Sequence, residues 1–251
     1  MQPCCDETAF QWIEEGRLPV RGPADERVWA GNTVANLLPQ TFEAYTKILH
    51  RIDARHEWID NPLSREEVHV LGLPSCSQVE AFVLRARSIG RSTRVRWKDV
   101  CALLELPFSA GITDDWFRER MASGCWPRYF SGPSDSCFLD AEEIAELVRL
   151  VSNNDVGAHF ARLPFVPLIG TDTALLYRGE LADVPRLNID DSPPEYRWPE
   201  SKNWCVCSDY DLPFTVVGGP KNLIDRVLSS DLLEAVAVTP NTRIDYKSPI
   251  A

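Results

Sequence analysis

Long apolar runs are missing from this sequence. No stretch reaches the roughly 18 uninterrupted apolar residues of a membrane helix, and the opening MQPCCDETAF is acidic, without the apolar core of a secretory signal. Those absences point to a soluble chain working in the cytoplasm, with no membrane partner. Catalytic signatures are missing as well. There is no Gly-x-Gly-x-x-Gly, no phosphate loop ending in Lys-Ser/Thr, and no Gly-x-Ser-x-Gly elbow. The four histidines, His50, His56, His69 and His159, are scattered. The eight cysteines are even in number, but their close pairs are Cys4-Cys5 and Cys205-x-Cys207, not the Cys-x2-Cys of a zinc knuckle. Without a signal for secretion the disulfide reading loses its support, and thiols are expected. No catalytic residue, metal or cofactor is assigned on this basis.

What is present is an ordinary globular composition with an uneven charge. The chain has 251 residues, 44% of them hydrophobic, and a formal net charge of −11. Residues 1–125 carry 15 basic against 18 acidic side chains and residues 126–251 carry 11 against 19, so the second half holds −8 of the −11. An acidic surface repels nucleic-acid phosphates and favours a basic partner. No 20–50-residue repeat is present, which sets aside solenoids and propellers.

Proline, glycine and aspartate cut the chain into short elements of mixed type, the pattern of an α+β fold with a mixed or antiparallel sheet. A single integrated unit over 1–251 is expected, with 1–154 richer in helix and 155–251 forming a small sheet under one helix. From Glu26 to Ile52 the residues suit two strands bent at Leu38-Pro39, or a strand and a helix, the strand reading being preferred. Helices are predicted after Ser77, over Trp97–Leu104, and after Asp140, where Asp140 and Glu143 have the spacing of an N-cap and its partner. Strands are predicted in HFARLPFVPL, TALLYRG, NWCVCSDY, FTVVGG and EAVAV. Gly219 suits the turn into a last helix, with Pro220 at its first position.

Three clusters are candidates for function. Tyr196, Trp198 and Trp204 lie in a proline-bracketed segment, PPEYRWPESKNW, that forms either a loop pinned over the core or an aromatic anchor set for a partner. Asp209 and Asp211 would share a face if their strand continues, close enough to hold a divalent cation, or they end a strand in a turn. Arg85, Arg87, Arg91, Arg94, Arg96 and Lys98 form a basic run without an acid until Asp99, suiting a solvated loop or a phosphate-binding patch with Trp97 for stacking. Cys205 and Cys207 should share one strand face, opposite Trp204 and Val206.

The segments GNTVANLLPQTFEAYTKILH, VRWKDV, LLYRGEL, WPESKNWCVCSDYDLPFTVVGGPKNLIDRVL and LEAVAV resemble, in order, a group of uncharacterised bacterial proteins frequent in actinobacteria. The resemblance is most specific between Trp198 and Leu228. It implies bacterial origin and one integrated unit, and carries no activity. The preferred expectation is therefore a non-catalytic protein that binds a protein partner, as toxin-neutralising immunity proteins do, through Tyr196, Trp198, Trp204, Asp209 and Asp211. A metal-assisted hydrolase using Asp209 and Asp211 comes second, and nucleic-acid binding through Arg85 to Lys98 third.

Overall fold

The computed structural model describes residues 2–4, 6–19, 31–55, 92–103, 107–113, 139–152, 157–162, 175–186, 193–209 and 212–244. Their strands are β1 (Gln2–Pro3), β2 (Ala44–Leu49), β3 (Ile52–Arg55), β4 (Ser92–Val95), β5 (Gly157–Arg162), β6 (Leu175–Glu180), β7 (Tyr196–Pro199), β8 (Cys205–Cys207), β9 (Phe214–Gly219) and β10 (Glu234–Val238). The helices are α1 (Gln11–Gly16), α2 (Val34–Leu37), α3 (Trp97–Leu103), α4 (Ala141–Val151) and α5 (Lys221–Leu228). The fold is α+β. Eight strands make one sheet in the order β1-β6-β5-β7-β8-β9-β2-β10, every pairing antiparallel, and β3 with β4 forms a separate two-stranded antiparallel sheet.

Alternation along the strands gives each face its own core. One face carries Tyr45, Tyr196, Trp198, Cys205, Cys207, Phe214 and Val216, covered by Phe10, Ile13, α2 and α3. The other carries Ile48, Phe160, Val206 and Val217, covered by α4, Leu181 and Val184 of a 3-10 turn, and α5. We call these the aromatic face and the helical face. Cys205 and Cys207 thus share a face opposite Val206 and Trp204, as their alternation requires.

The helix after Asp140 forms for the local reason its sequence indicates. Asp140 accepts a hydrogen bond from the Glu143 amide at 2.8 Å, the Asp140 amide donates to Glu143 Oε2 at 3.2 Å, and Leu147, Leu150 and Val151 are buried. In α5, Pro220 is the N-cap and not the first helical residue, a shift of one position; Leu223, Ile224 and Val227 face the sheet. Several elements differ from expectation, among them β4, a strand inside the basic run that the sequence suits to a solvated loop. Val34–Leu37 is a one-turn helix, held by the Thr33 amide on Asn36 Oδ1 at 2.7 Å and by Val34 and Ala35 amides on carbonyls of Thr242 and Pro240, far along the chain. Tyr196–Pro199 is a strand inside the sheet, neither the loop pinned over the core nor the exposed anchor set that its prolines and rings suggest. The predicted helix after Ser77 lies outside the described residues.

Candidate functional site

β7 brings the proline-bracketed aromatics to the middle of the sheet, between β5 and β8. Tyr196 is 2% exposed, Trp198 1% and Trp204 2%. This corrects the expectation of an exposed aromatic anchor set: the three rings pack inside, because a strand paired on both sides turns alternate residues into covered faces. On the aromatic face Phe10 meets Tyr196 edge-on at 5.1 Å between centroids, and Trp12 meets Trp198 at 6.4 Å. The Tyr196 hydroxyl donates to the Leu37 carbonyl and accepts from Arg17 Nη1 at 2.9 Å; burial keeps its proton on well above the usual phenol range. Trp204 packs into the helical face, its Cβ against Gly219.

Above this base, at the end of β7, lies a charged turn. The His159 ring stacks on Trp198 at 5.5 Å with 9° between planes, and its Nε2 bonds Glu200 Oε2 at 2.8 Å. Arg178 Nη2 reaches the same oxygen at 3.1 Å. Glu200 is lowered from the usual carboxylate range chiefly by the His159 bond. Lys202 holds the turn with a φ of 54°, in the left-handed region, and its ammonium sits 5.8 Å from the half-buried Trp12 ring. Asp6 is also lowered, first by the Thr8 hydroxyl that bonds it, with His159 and Lys202 adding smaller attractions. The Glu200 and Arg178 side chains are more than 60% exposed.

The remaining predicted residues are dispersed. Asp209 is half-buried after β8, where its charge, second to burial, helps raise the Cys207 thiol to about 12. Asp211 lies outside the described residues, as do Arg85, Arg87 and Arg91. Among the described residues no group of three or more His, Cys, Asp or Glu is placed to hold a metal. Cys4, Cys101, Cys205 and Cys207 are free thiols, and burial raises Cys101 to about 12 and Cys205 well above the usual range, which leaves these two unreactive. Arg94 pairs with the buried Glu143, and Arg96 donates to the Asp231 carbonyl. The backbone amides of Trp97 and Lys98, which begin α3, are capped by Glu234 at 2.7 and 2.9 Å. The described part of the basic run is therefore tied largely into the fold. Trp97, considered for stacking, is fully buried.

One cluster has no sequence signal. On the helical face Arg197 Nη1 donates to Ser208 Oγ at 3.2 Å, Ser208 lies 2.7 Å from Thr215 Oγ1, and Thr215 lies 3.0 Å from His50 Nε2. All four are buried. Arginine only donates, so the assignment using most groups runs one way, Arg197 to Ser208 to Thr215 to His50, with His50 Nε2 as terminal acceptor. His50 accordingly stays neutral: burial first, and the Arg197 charge second, lower it to about 3. The members lie up to 165 residues apart in sequence, so only strand pairing reveals them.

No helix among the described residues is long and apolar enough to cross a membrane. Comparison with protein-family models, curated proteins and solved structures returns no match to this chain.

Proposed function

We propose that the protein is a non-catalytic binding protein of the bacterial cytoplasm that engages a protein partner through the charged turn over Trp198. The supporting observation is the construction of that turn. Glu200, Arg178 and Lys202 are held at the surface by His159, Trp198 and Trp12, so their side chains are pre-positioned and little entropy is lost on contact. Charges fixed on a rigid base select partners and steer encounter more than they add raw affinity. The formal charge of −11 suits a basic partner, as in the immunity-protein analogy. Kinship with the actinobacterial group belongs to the same proposal.

The test replaces surface charges and leaves the core untouched. Tagged wild type and a Glu200→Lys, Lys202→Glu double variant, matched in circular dichroism and melting temperature, are used to recover partners from lysate. A protein held by wild type and lost from the variant is the expected outcome. Equal retention by both, or by neither, removes this surface from the proposal.

A further inference from the structure

The two edges of the eight-stranded sheet are finished differently. At one edge β1 is two residues long and ends in Pro3, which has no N–H to offer a neighbour. At the other, β10 runs for five residues in unbroken register with β2, without proline or bulge. Its one charged side chain, Glu234, is buried on the amides of Trp97 and Lys98. Sheets ordinarily blunt such an edge with a charge, a proline or a bulge, and β10 has none of these on its open side.

The ladder determines which groups face outward. The His50 amide, continuing β2, donates to the Pro213 carbonyl on the β9 side at 3.0 Å. In an antiparallel strand the N–H and C=O of one residue point to the same neighbour, and the direction alternates along the chain. Ile48 and Thr46 therefore turn to β9, whereas Leu49, Lys47 and Tyr45 bond Glu234, Val236 and Val238. The Val236 carbonyl also accepts from the Thr46 hydroxyl at 2.9 Å, which fixes it toward β2. The N–H and C=O of Ala235 and Ala237 are left on the open side, where nothing among the described residues bonds them. Ala237 is exposed, and Ala235 and Val236 are half-buried.

We infer that β10 pairs with β10 of a second copy of this chain, antiparallel and centred on Val236, giving a two-fold dimer with one continuous sheet. The edge is self-complementary. Ala235 of each copy exchanges both of its outward hydrogen bonds with Ala237 of the other, and Val236 meets Val236 in the closer pair between them. Only methyl and isopropyl groups meet at the axis, so no charge is buried and none opposes its like. An uncharged strand has nothing with which to select a basic or acidic partner segment, whereas an identical copy matches it bond for bond. β8, β9 and β2 separate this edge from β7, so the pairing is independent of the charged turn.

The experiment is sedimentation velocity on the full chain from about 5 to about 500 µM. A single strand pair buries less than a standard interface, so self-association in the micromolar range is expected. Each copy carries −11, and raising salt from about 0.05 to about 0.5 M should shift the equilibrium toward dimer. Ala237→Pro removes an outward N–H, leaves the bonds to β2 in place, and should weaken the dimer about tenfold or more. Val236→Lys and Val236→Glu each set like charges opposite one another across the axis, so each alone should be monomeric and their mixture should recover the dimer. Circular dichroism checks that every variant is folded, and the Lys/Glu mixture carries the test if Ala237→Pro does not fold. A wild type that stays monomeric at about 500 µM in high salt overturns the proposal. So does a dimer that the folded variants leave unchanged, or a mixture that recovers none.

Discussion

Lys47 and Arg197 are buried cations on opposite faces of one sheet, and the sheet satisfies them differently. Lys47, fully buried in β2, donates to the Ala110 and Ile112 carbonyls at 2.7 and 2.6 Å and stands 4.7 Å from the Phe214 ring centroid. Among the described residues the Arg197 side chain has the Ser208 hydroxyl as its hydrogen-bond partner. Burial lowers both, Lys47 to about 7 and Arg197 to about 10. The difference lies in what covers each face. Over Lys47 the segment 107–113 brings carbonyl oxygens, whereas the face beside Arg197 is covered by aliphatic side chains of α4 and the 3-10 turn. The Lys47 ammonium thus has two carbonyls and a ring face, whereas the Arg197 guanidinium has one neutral hydroxyl among the described residues.

The largest effect should come from breaking the satisfied side. Lys47→Ala leaves two carbonyls without their donor and a cavity beside Phe214, with an expected loss of about 3 kcal/mol in urea unfolding. The pH dependence follows from the lowered value near 7 against the usual 10.5. Between those values the unfolded chain binds the extra proton, so Lys47 contributes a rise in stability as pH increases from about 7. The scan stays below about 8.5, above which Cys101, Cys205 and Cys207, held protonated by burial in the fold, ionise in the unfolded chain and oppose the rise. Lys47→Met should flatten that rise, and an unchanged slope would locate the titration elsewhere.

On the helical face the corresponding effect lies on the acid side. His50 is lowered to about 3 from 6.5, so the unfolded chain is protonated first and stability should fall as pH drops from about 6.5 toward 3. Glu143 opposes it. Burial raises that carboxyl to about 7 despite Arg94, so its contribution is present at low pH and is lost as pH rises from about 4.5 to 7. His50→Gln keeps an acceptor for the Thr215 hydroxyl and cannot take up the proton. Relative to this variant, wild type should lose on the order of 2 kcal/mol between pH 6.5 and 4.5. Parallel acid curves for the two proteins would show that His50 is not the neutral end of the relay.

The two faces also differ in how far the sequence foretells them. The capping pair Asp140 and Glu143, the apolar stripe of α4 and the alternation of Cys205, Val206 and Cys207 are readable because each depends on residues within a few positions. β7 is misread as a loop because Pro193, Pro194 and Pro199 outweigh four residues whose partners are distant. Pro199 fits as the last strand residue, opposite Ala158. α2 is missed because Pro240 and Thr242 secure it from the other end of the chain. The aromatic stretch around Trp198 stands out by its composition, but the inward orientation of its rings does not. The rings turn inward and the charges beside them, Glu200 and Lys202, occupy the surface. Lys47 and the Arg197 relay have no sequence mark, since a lysine or serine in a strand is ordinary until its cross-strand neighbours bury it.

The smallest effect tests whether the helical face loosens on its own. Asp140 both caps α4 and meets Arg51 Nη1 at 3.2 Å, a pair about a quarter exposed on each side. Exposed pairs of this kind add little, whereas loss of a cap costs about 1 kcal/mol. Asp140→Ala should therefore cost about 1 kcal/mol, and Asp140→Asn, which still accepts from the Glu143 amide, should cost a few tenths. Hydrogen exchange separates the faces: amides in the first turn of α4 should exchange faster in Asp140→Ala, while those of β2 opposite Val216 keep their protection. Equal losses for Ala and Asn would assign the effect to the Arg51 ion pair. Faster exchange on both faces would mean that the aliphatic and aromatic cores open together as one cooperative unit.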